Sequence, residues 1–349
     1  KTLPSKKKKK LRQKKAGSKL AVPEKNAYIS PSLEEINQII TRCYDREFGG
    51  FIISPEEMKY PLPEIHDYLI LYAESHPESP EEMMLEKTLD AMWLGEIYDR
   101  HRGGFYRYAE ARDWTFAHAE KMLDQNAALL RNYLMAYDKL GCGKYGFLIR
   151  DTINFFLSEL YREEDQVFGS CSIGKITDFT PYTNWNSMMS SALLLAYRVL
   201  GDKGCLEKGL KVIEALWSKC YRLGRGMSHF YLNGPAPVEL FSDQIKYIEA
   251  LYDAYTCTDE KVYLSRASLL MRYVEKNYRL PEGTFSDIPV MEKSPGYLSI
   301  PLVPFVENID AALVLIKMSR LFGADIYAQK AWDILKIMSP MIRGNPIFA

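Results

Sequence analysis

The stretches ITRCYDREFGGF (40–51), LGEIYDRHRGGFYRY (94–108), LSELYREEDQVFG (157–169), LWSKCYRLGRGMSHF (216–230) and VEKNYRLPEGTF (274–285) share one plan. Each ends an amphipathic helix, leaves it through a polar or basic segment, and turns on a glycine and an aromatic. The closing aromatics Phe51, Phe105, Phe168, Phe230 and Phe285 are 54, 63, 62 and 55 residues apart. A period near 60 holds two helices and two loops, and repetition at a fixed period defines a repeat architecture.

A second class of helix falls between these turns, over 61–74, 112–140, 181–200, 239–256 and 303–322. Several of these end on a glycine stop: KLG (139–141), VLG (199–201) and LFG (321–323). Helix starts are marked by Ser32 with Glu35, Ser54 with Glu57 and Ser79 with Glu82, spaced as capping boxes, and by Pro55 and Pro80 at first helical positions. With a last helix near 324–340 the count is six of the first class and five of the second. Alternating pairs of this kind predict an all-α (α/α)6 toroid of helical hairpins. Its last helix is missing where the chain reaches PIFA (346–349). An open solenoid has shorter periods, about 33–47 residues. GCGKYG (141–146) matches a dinucleotide-binding spacing, but a long helix rather than a strand precedes it, so it reads as a helix–helix turn.

Composition narrows the class. The chain has 349 residues, of which 47% are hydrophobic and 13% aromatic, enough for a sizeable core. No apolar run approaches the roughly 18 residues of a membrane span. The zero net charge hides an asymmetry: residues 1–19 carry ten Lys or Arg and no acid, leaving 35 bases against 45 acids in the rest. Residues 1–30 therefore read as a disordered basic tail or linker and 31–349 as the toroid domain. The tail suits anionic lipid, nucleic acid or simple solvation as a linker, and the acidic body argues against specific nucleic-acid binding. A chain that starts at Lys1 implies sequence upstream, with a membrane anchor one option. The six scattered cysteines lack metal-ligand spacing, which fits a reducing, cytoplasmic compartment with free thiols and neither metal nor other cofactor.

In such a ring the inner helices share a direction and their N-termini surround one mouth. Polar residues gather there: Arg107, Asp113, Trp114, His118, Glu120, Lys121 and Asp124 at the second inner helix, Tyr182, Trp185 and Asn186 at the third, Glu239, Asp243 and Tyr247 at the fourth, Glu307 and Asn308 at the fifth. Aromatic faces with a few fixed polar groups suit a sugar, and helix N-termini suit an anion. His118 is either a general acid/base or a core histidine. Glu120 and Asp124, four apart, read as sharing a helix face; they are paired carboxylates or partners for Lys121 and Arg131. Asp113 reads as a helix cap, Trp114 and Trp185 as stacking walls or core. Asp243 and Glu307 recur at one phase of the repeat and are the best distant carboxylates. His66, His76, His101 and His229 read as structural or surface.

Residues 85–140, with LDAMWLGEIYDRHRGGFYRYAEARDWTFAHAEKML at their centre, resemble the YyaL-type, or spermatogenesis-associated, thioredoxin-domain proteins. TNWNSMM (183–189), ELFSDQIKYIEAL (239–251) and PFVENIDAALVLIKMSRLFG (304–323) are fainter matches in the same order. Arg107, Tyr108, Asp113, Trp114, His118, Glu120, Lys121, Asn126, Trp185, Asn186 and Asn308 fit the family's pattern. Ala119, Ser187, the Ser242-Asp243 pair and Gln244 depart from it. The resemblance implies a six-hairpin toroid related to N-acylglucosamine 2-epimerases and six-hairpin glycosidases, with a thioredoxin-like domain upstream in complete members. From their places at the mouth, His118, Glu120, Asp243 and Glu307 are the catalytic candidates. Arg107, Asp113, Trp114, Lys121, Asn126, Trp185, Asn186 and Asn308, which also fit the family's pattern, are the binding candidates. The expected function is a binding or scaffold module with a carbohydrate or small-metabolite pocket. The alternative is a sugar epimerase or isomerase using His118 as general acid/base.

Overall fold

The structure, a computed structural model, describes residues 32–53, 58–290 and 300–342. The basic tail, the Ser54–Glu57 box with Pro55, and PIFA lie outside the described residues. Among those described there are eleven α-helices: α1 Leu33–Cys43, α2 Pro63–Ser75, α3 Pro80–Leu94, α4 Leu123–Lys139, α5 Gly146–Glu159, α6 Thr183–Leu200, α7 Lys203–Cys220, α8 Phe241–Thr258, α9 Lys261–Asn277, α10 Phe305–Phe322 and α11 Asp325–Ile342. The even-numbered helices pack on one another in the order α2, α4, α6, α8, α10. Helices α3, α5, α7, α9 and α11 pack outside them, each against a sequence neighbour. This is the (α/α)6 toroid, six helices of one class and five of the other.

Local chemistry sets the ends. Ser32 and Glu35 form a reciprocal capping box at α1. Ser79 accepts from the Glu82 N–H, whereas the Glu82 carboxylate takes the N–H of Glu78, so this start is half a box. Asp202 caps α7 by accepting from Gly204 and Cys205. Helices α6 and α10 stop on Gly201 and Gly323 in the left-handed conformation, which costs glycine no side-chain clash. GCGKYG is a short 3₁₀ turn between α4 and α5.

The turns after the outer helices are where the repeat is tightest. In each, the residue following the closing side chain donates its N–H back to the outer helix's end: Ile52 to Cys43, Tyr106 to Ile97, Gly169 to Leu160, Ser228 to Cys220 and Ser286 to Tyr278, all at 2.8–3.0 Å. One residue inward lie the antiparallel pairs Tyr44–Phe51, Tyr98–Phe105, Tyr161–Phe168, Tyr221–Met227 and Arg279–Phe285. The closing residue of the fourth turn is therefore Met227 and not Phe230, whose backbone bridges to Tyr182 instead. The corrected spacings are 54, 63, 59 and 58, a more regular period. Phe51, Phe105, Phe168, Met227 and Phe285 are fully buried. Each such side chain contributes about 1.5–3 kcal/mol, more than the roughly 1 kcal/mol of a helix cap. Burial of the turn thus does more than capping to hold each hairpin.

The expected helix over 112–140 begins only at Leu123. Residues 112–119 form an irregular crossing in which Trp114 and Phe116 have positive φ, followed by strand β1 (Glu120–Met122). Two-residue strands β2 (Tyr161–Arg162) and β3 (Val167–Phe168) close the third turn. Strand β1 pairs antiparallel with β4 (Cys171–Ile173), which pairs with β5 (Ile176–Asp178). Strands β6 (Tyr221–Arg222) and β7 (Gly226–Met227) close the fourth turn. Trp114 explains the interruption. Its ring is 1% exposed, its Nε1 donates to the Phe48 carbonyl at 3.0 Å, and a Cβ on Gly50 would sit 2.4 Å from the indole. Gly50 also has φ +74°, so glycine is required there twice over.

Candidate functional site

The fourth residue of every inner helix holds a constant place: His66, Asn126, Asn186, Gln244 and Asn308. Four of the five perform one task. Asn126 Oδ1 accepts from the Phe105 N–H at 2.7 Å, and its Nδ2 donates to the carbonyls of Phe105 and Met122. Asn186 does the same to Phe168 and Tyr182. Gln244 serves Met227 and Leu240, and Asn308 serves Phe285 and Pro304. All four amides are fully buried. They staple each turn to the helix that follows, so the hydrogen-bonding capacity of Asn126, Asn186 and Asn308 is used within the fold. His66 instead faces Asn132 at 3.3 Å, and burial drives its pKa down to about 4 despite that hydrogen bond.

Lys121 is also committed to the fold. Its Nζ donates to Asp99 at 2.7 Å and to the Gly103 carbonyl at 2.6 Å, 4.0 Å from the Phe155 ring. Lys59, Asp45 and the Gly49 carbonyl repeat the arrangement one turn earlier, at 2.8 and 2.6 Å. Burial works to raise the Asp99 pKa, but Lys121 and the N–H groups of His101 and Arg102 more than offset it and bring it from 3.8 down to about 2. Because the folded value lies below the ordinary one, the unfolded chain binds more protons between the two. This stabilisation is complete above pH ~4 and is lost as pH falls through about 2. Urea midpoints measured from pH 5 to 2 are therefore expected to fall less steeply in Asp99→Asn than in the parent, and parallel profiles would count against the assignment.

Around His118 the backbone holds residues 107–108 against 118–120, but the side chains take separate partners. Glu120 lies in β1 and Asp124 in the first turn of α4, so they do not share a helix face; Glu120 pairs with Arg107 at 2.9 Å. Asp113 caps no helix. It is exposed and accepts from the N–H and hydroxyl of Thr115 in a local turn. Trp114 is core. His118 stacks on Tyr108 at 4.8 Å, and Tyr108 lies 5.4 Å from Tyr60. Glu307 is half-buried in the first turn of α10.

Asp243 serves another histidine. Its carboxylate is fully buried, lies 3.1 Å from His229 Nδ1 through both oxygens, and accepts from the N–H groups of Asn184 and Leu240. Burial pushes its pKa up and His229 opposes the rise. His229 lies 4.9 Å from Tyr182, which is 5.0 Å from the half-buried Trp185. The Asn184–Asp243 bond joins the first turns of α6 and α8, so those N-termini share one rim.

Below that rim is a feature that sequence reading missed. Arg131 of α4 reaches Asp67 of α2 and Glu249 of α8, both at 3.8 Å. Lys317 of α10 binds Glu249 at 2.6 Å and approaches Asp253 at 4.0 Å, and Lys246 of α8 binds Asp310 of α10 at 2.8 Å. Helices α4 and α8 are separated by α6, so side chains joining them meet across the ring's axis. These seven side chains keep 15–40% of their surface accessible, so the charges that meet near the axis are partly hydrated. Burial raises Asp67, Asp253 and Asp310, while Glu249 is held well below the usual range because Lys317, Lys246 and Arg131 outweigh its burial. The sequence signal was faint: charged residues at matching depths of otherwise apolar inner helices. Among the described residues no group of His, Cys, Asp and Glu is arranged to hold a metal ion, and no helix is long and apolar enough to cross a membrane.

No established protein-family profile matches the chain. It is 31% identical over 153 residues to spermatogenesis-associated protein 20 of Homo sapiens, covering 42% of this chain and 19% of that protein. The rat protein of the same name is 34% identical over 134 residues, covering 36% and 16%. An uncharacterised protein of Caenorhabditis elegans is 32% identical over 172 residues, covering 46% and 22%. The alignments thus span about a fifth of those relatives' lengths. Among solved structures, cellobiose 2-epimerase from Bacillus thermoamylovorans superposes with TM-score 0.74 at 11% identity, covering 88% of this chain and 84% of that one. A D-mannose isomerase gives 0.69 at 12%, covering 90% and 87%. A family 76 α-mannanase from Bacteroides thetaiotaomicron gives 0.65 at 14%, covering 86% and 81%. The chain is thus a homologue, over part of its length, of spermatogenesis-associated protein 20, built on the (α/α)6 toroid of the 2-epimerases and family 76 glycoside hydrolases.

Proposed function

We propose that the toroid is a binding module for a neutral, polyhydroxylated ligand of the carbohydrate class, taken in toward the axis through the rim formed by α6 and α8. The observation that carries this reading is the state of the charges near the axis. Each cation has a carboxylate within 4.0 Å, yet all keep contact with water. Paired, partly hydrated charges present fixed donors and acceptors to hydroxyl groups. An anion would find no cation without a carboxylate beside it, so a neutral sugar fits better than a sugar phosphate. Tyr182 and Trp185 at the rim supply aromatic surface of the kind on which sugar faces stack. The sugar-processing proteins among the structural neighbours lend the ligand class support at the level of fold.

The epimerase reading built on His118 has less support, because Glu120 pairs with Arg107 and Asp243 with His229. The test is a panel of mono- and disaccharides, free and phosphorylated, followed by saturation-transfer NMR and calorimetry. Neutral sugars are expected to bind, and Trp185→Ala to weaken them about threefold to tenfold, the worth of one aromatic contact. A panel without a binder, or Trp185→Ala binding as tightly as the parent, removes the proposed pocket.

A further inference from the structure

Asp243 caps the start of α8 and ties it to α6, and the same carboxylate also faces a histidine that the fold leaves open to solvent. A structural histidine would be buried; the His229 side chain is 22% exposed, while its partner carboxylate is 0% exposed. Two backbone N–H groups from two different segments fix the carboxylate, Asn184 at 3.1 Å and Leu240 at 3.3 Å. Both of its oxygens face Nδ1 at 3.1 Å. With Nδ1 turned to both carboxylate oxygens, Nε2 is the ring nitrogen left to meet a ligand. Tyr182 at 4.9 Å and Phe230 at 5.9 Å pack beside the ring. A buried carboxylate behind Nδ1 and an accessible imidazole in front are the two elements that make a histidine an oriented base.

We infer that His229 is a proton-transfer residue of the mouth, with Asp243 its positioning residue, and that it opens and closes the ring of a bound reducing sugar. The inference rests on the carbohydrate reading above. Nε2 takes the proton of the anomeric hydroxyl, the C1–O5 bond breaks as the C1–O1 carbonyl forms, and O5 takes a proton from water. Closure on either face of the carbonyl reverses these steps: O5 returns its proton to solvent and the imidazolium returns its own to O1. No electrons are gained or lost, and water is the one co-reactant. The product is the other anomer of the same sugar.

Exchange between the anomers of glucose, mannose and cellobiose, followed by NMR at fixed pH with the full chain, tests this. The exchange rate above buffer is expected to rise in proportion to protein and to fall about a hundredfold in His229→Gln, while calorimetric affinity changes less than about threefold. Free imidazole is expected to restore exchange in His229→Ala beyond what imidazole does alone. Asp243→Asn is expected to lower turnover at saturation with the half-saturating concentration unchanged. Sugar binding without exchange above buffer, or a His229→Gln variant exchanging like the parent, overturns this inference alone. Absence of sugar binding overturns both it and the reading beneath it.

Discussion

Lys121→Met lowers the stability of the folded chain by about 3–5 kcal/mol, the range for breaking a buried ion pair by removing one partner. The lysine is 3% exposed and its ammonium satisfies both the Asp99 carboxylate and the Gly103 carbonyl. Methionine fills the volume but leaves the carboxylate without its cation in a place that water scarcely reaches. Asp99 still accepts from His101 and Arg102, so the loss belongs to the missing ammonium and not to collapse of the turn. Gly103 sharpens the effect. It has φ +78°, and a Cβ on it would lie 2.6 Å from the Asp151 carbonyl, so this turn has no room to rearrange around an orphaned charge. Urea denaturation measures the change. A loss below about 1 kcal/mol would show that the pair is not the clamp, and would reopen a ligand-binding role for Lys121.

Asn186→Ala is the second large effect, an expected loss of about 2–5 kcal/mol. It strands the Phe168 N–H and carbonyl inside the fold, and each orphaned buried group costs about 1–3 kcal/mol. Phe168 is 0% exposed, so water does not replace the amide. Gln244→Ala is expected to behave alike, because it leaves Met227 in the same condition. Thermal or urea unfolding of both variants checks the claim. If Asn186→Ala unfolds like the parent while weakening sugar binding, the amide belongs to a ligand site and not to a staple.

These two variants mark where the sequence was legible and where it was not. Hairpin number, helix classes and glycine stops were readable because each is encoded within a few residues: a cap, a left-handed glycine, an apolar stripe. Asn126, Asn186 and Asn308 were visible as well-placed polar residues and read as ligand-binding candidates, while Gln244 was visible only as a departure from the family pattern. What decided their role was the partner, the backbone of a closing residue 17 to 23 positions away. Met227 is hidden in the sequence because the other closing residues are aromatic, whereas the site asks only for a bulky apolar side chain. Helix α4 was started too early because its apolar spacing runs back into a segment that the burial of Trp114 holds irregular.

The ring of helix pairs was therefore determined by the sequence alone, since periodicity, caps and stops act through near neighbours and need no knowledge of the whole. The pairing of charges was determined only by the assembled ring. Arg131 and Glu249 are 118 residues apart in sequence and meet only because their helices face each other across the axis. His229 and Asp243 are 14 apart, close enough to notice, but their meaning lay in burial: one side chain sealed from water and the other left open to it. Desolvation is a property of the assembled surroundings, and it separates a structural polar residue from one free to act.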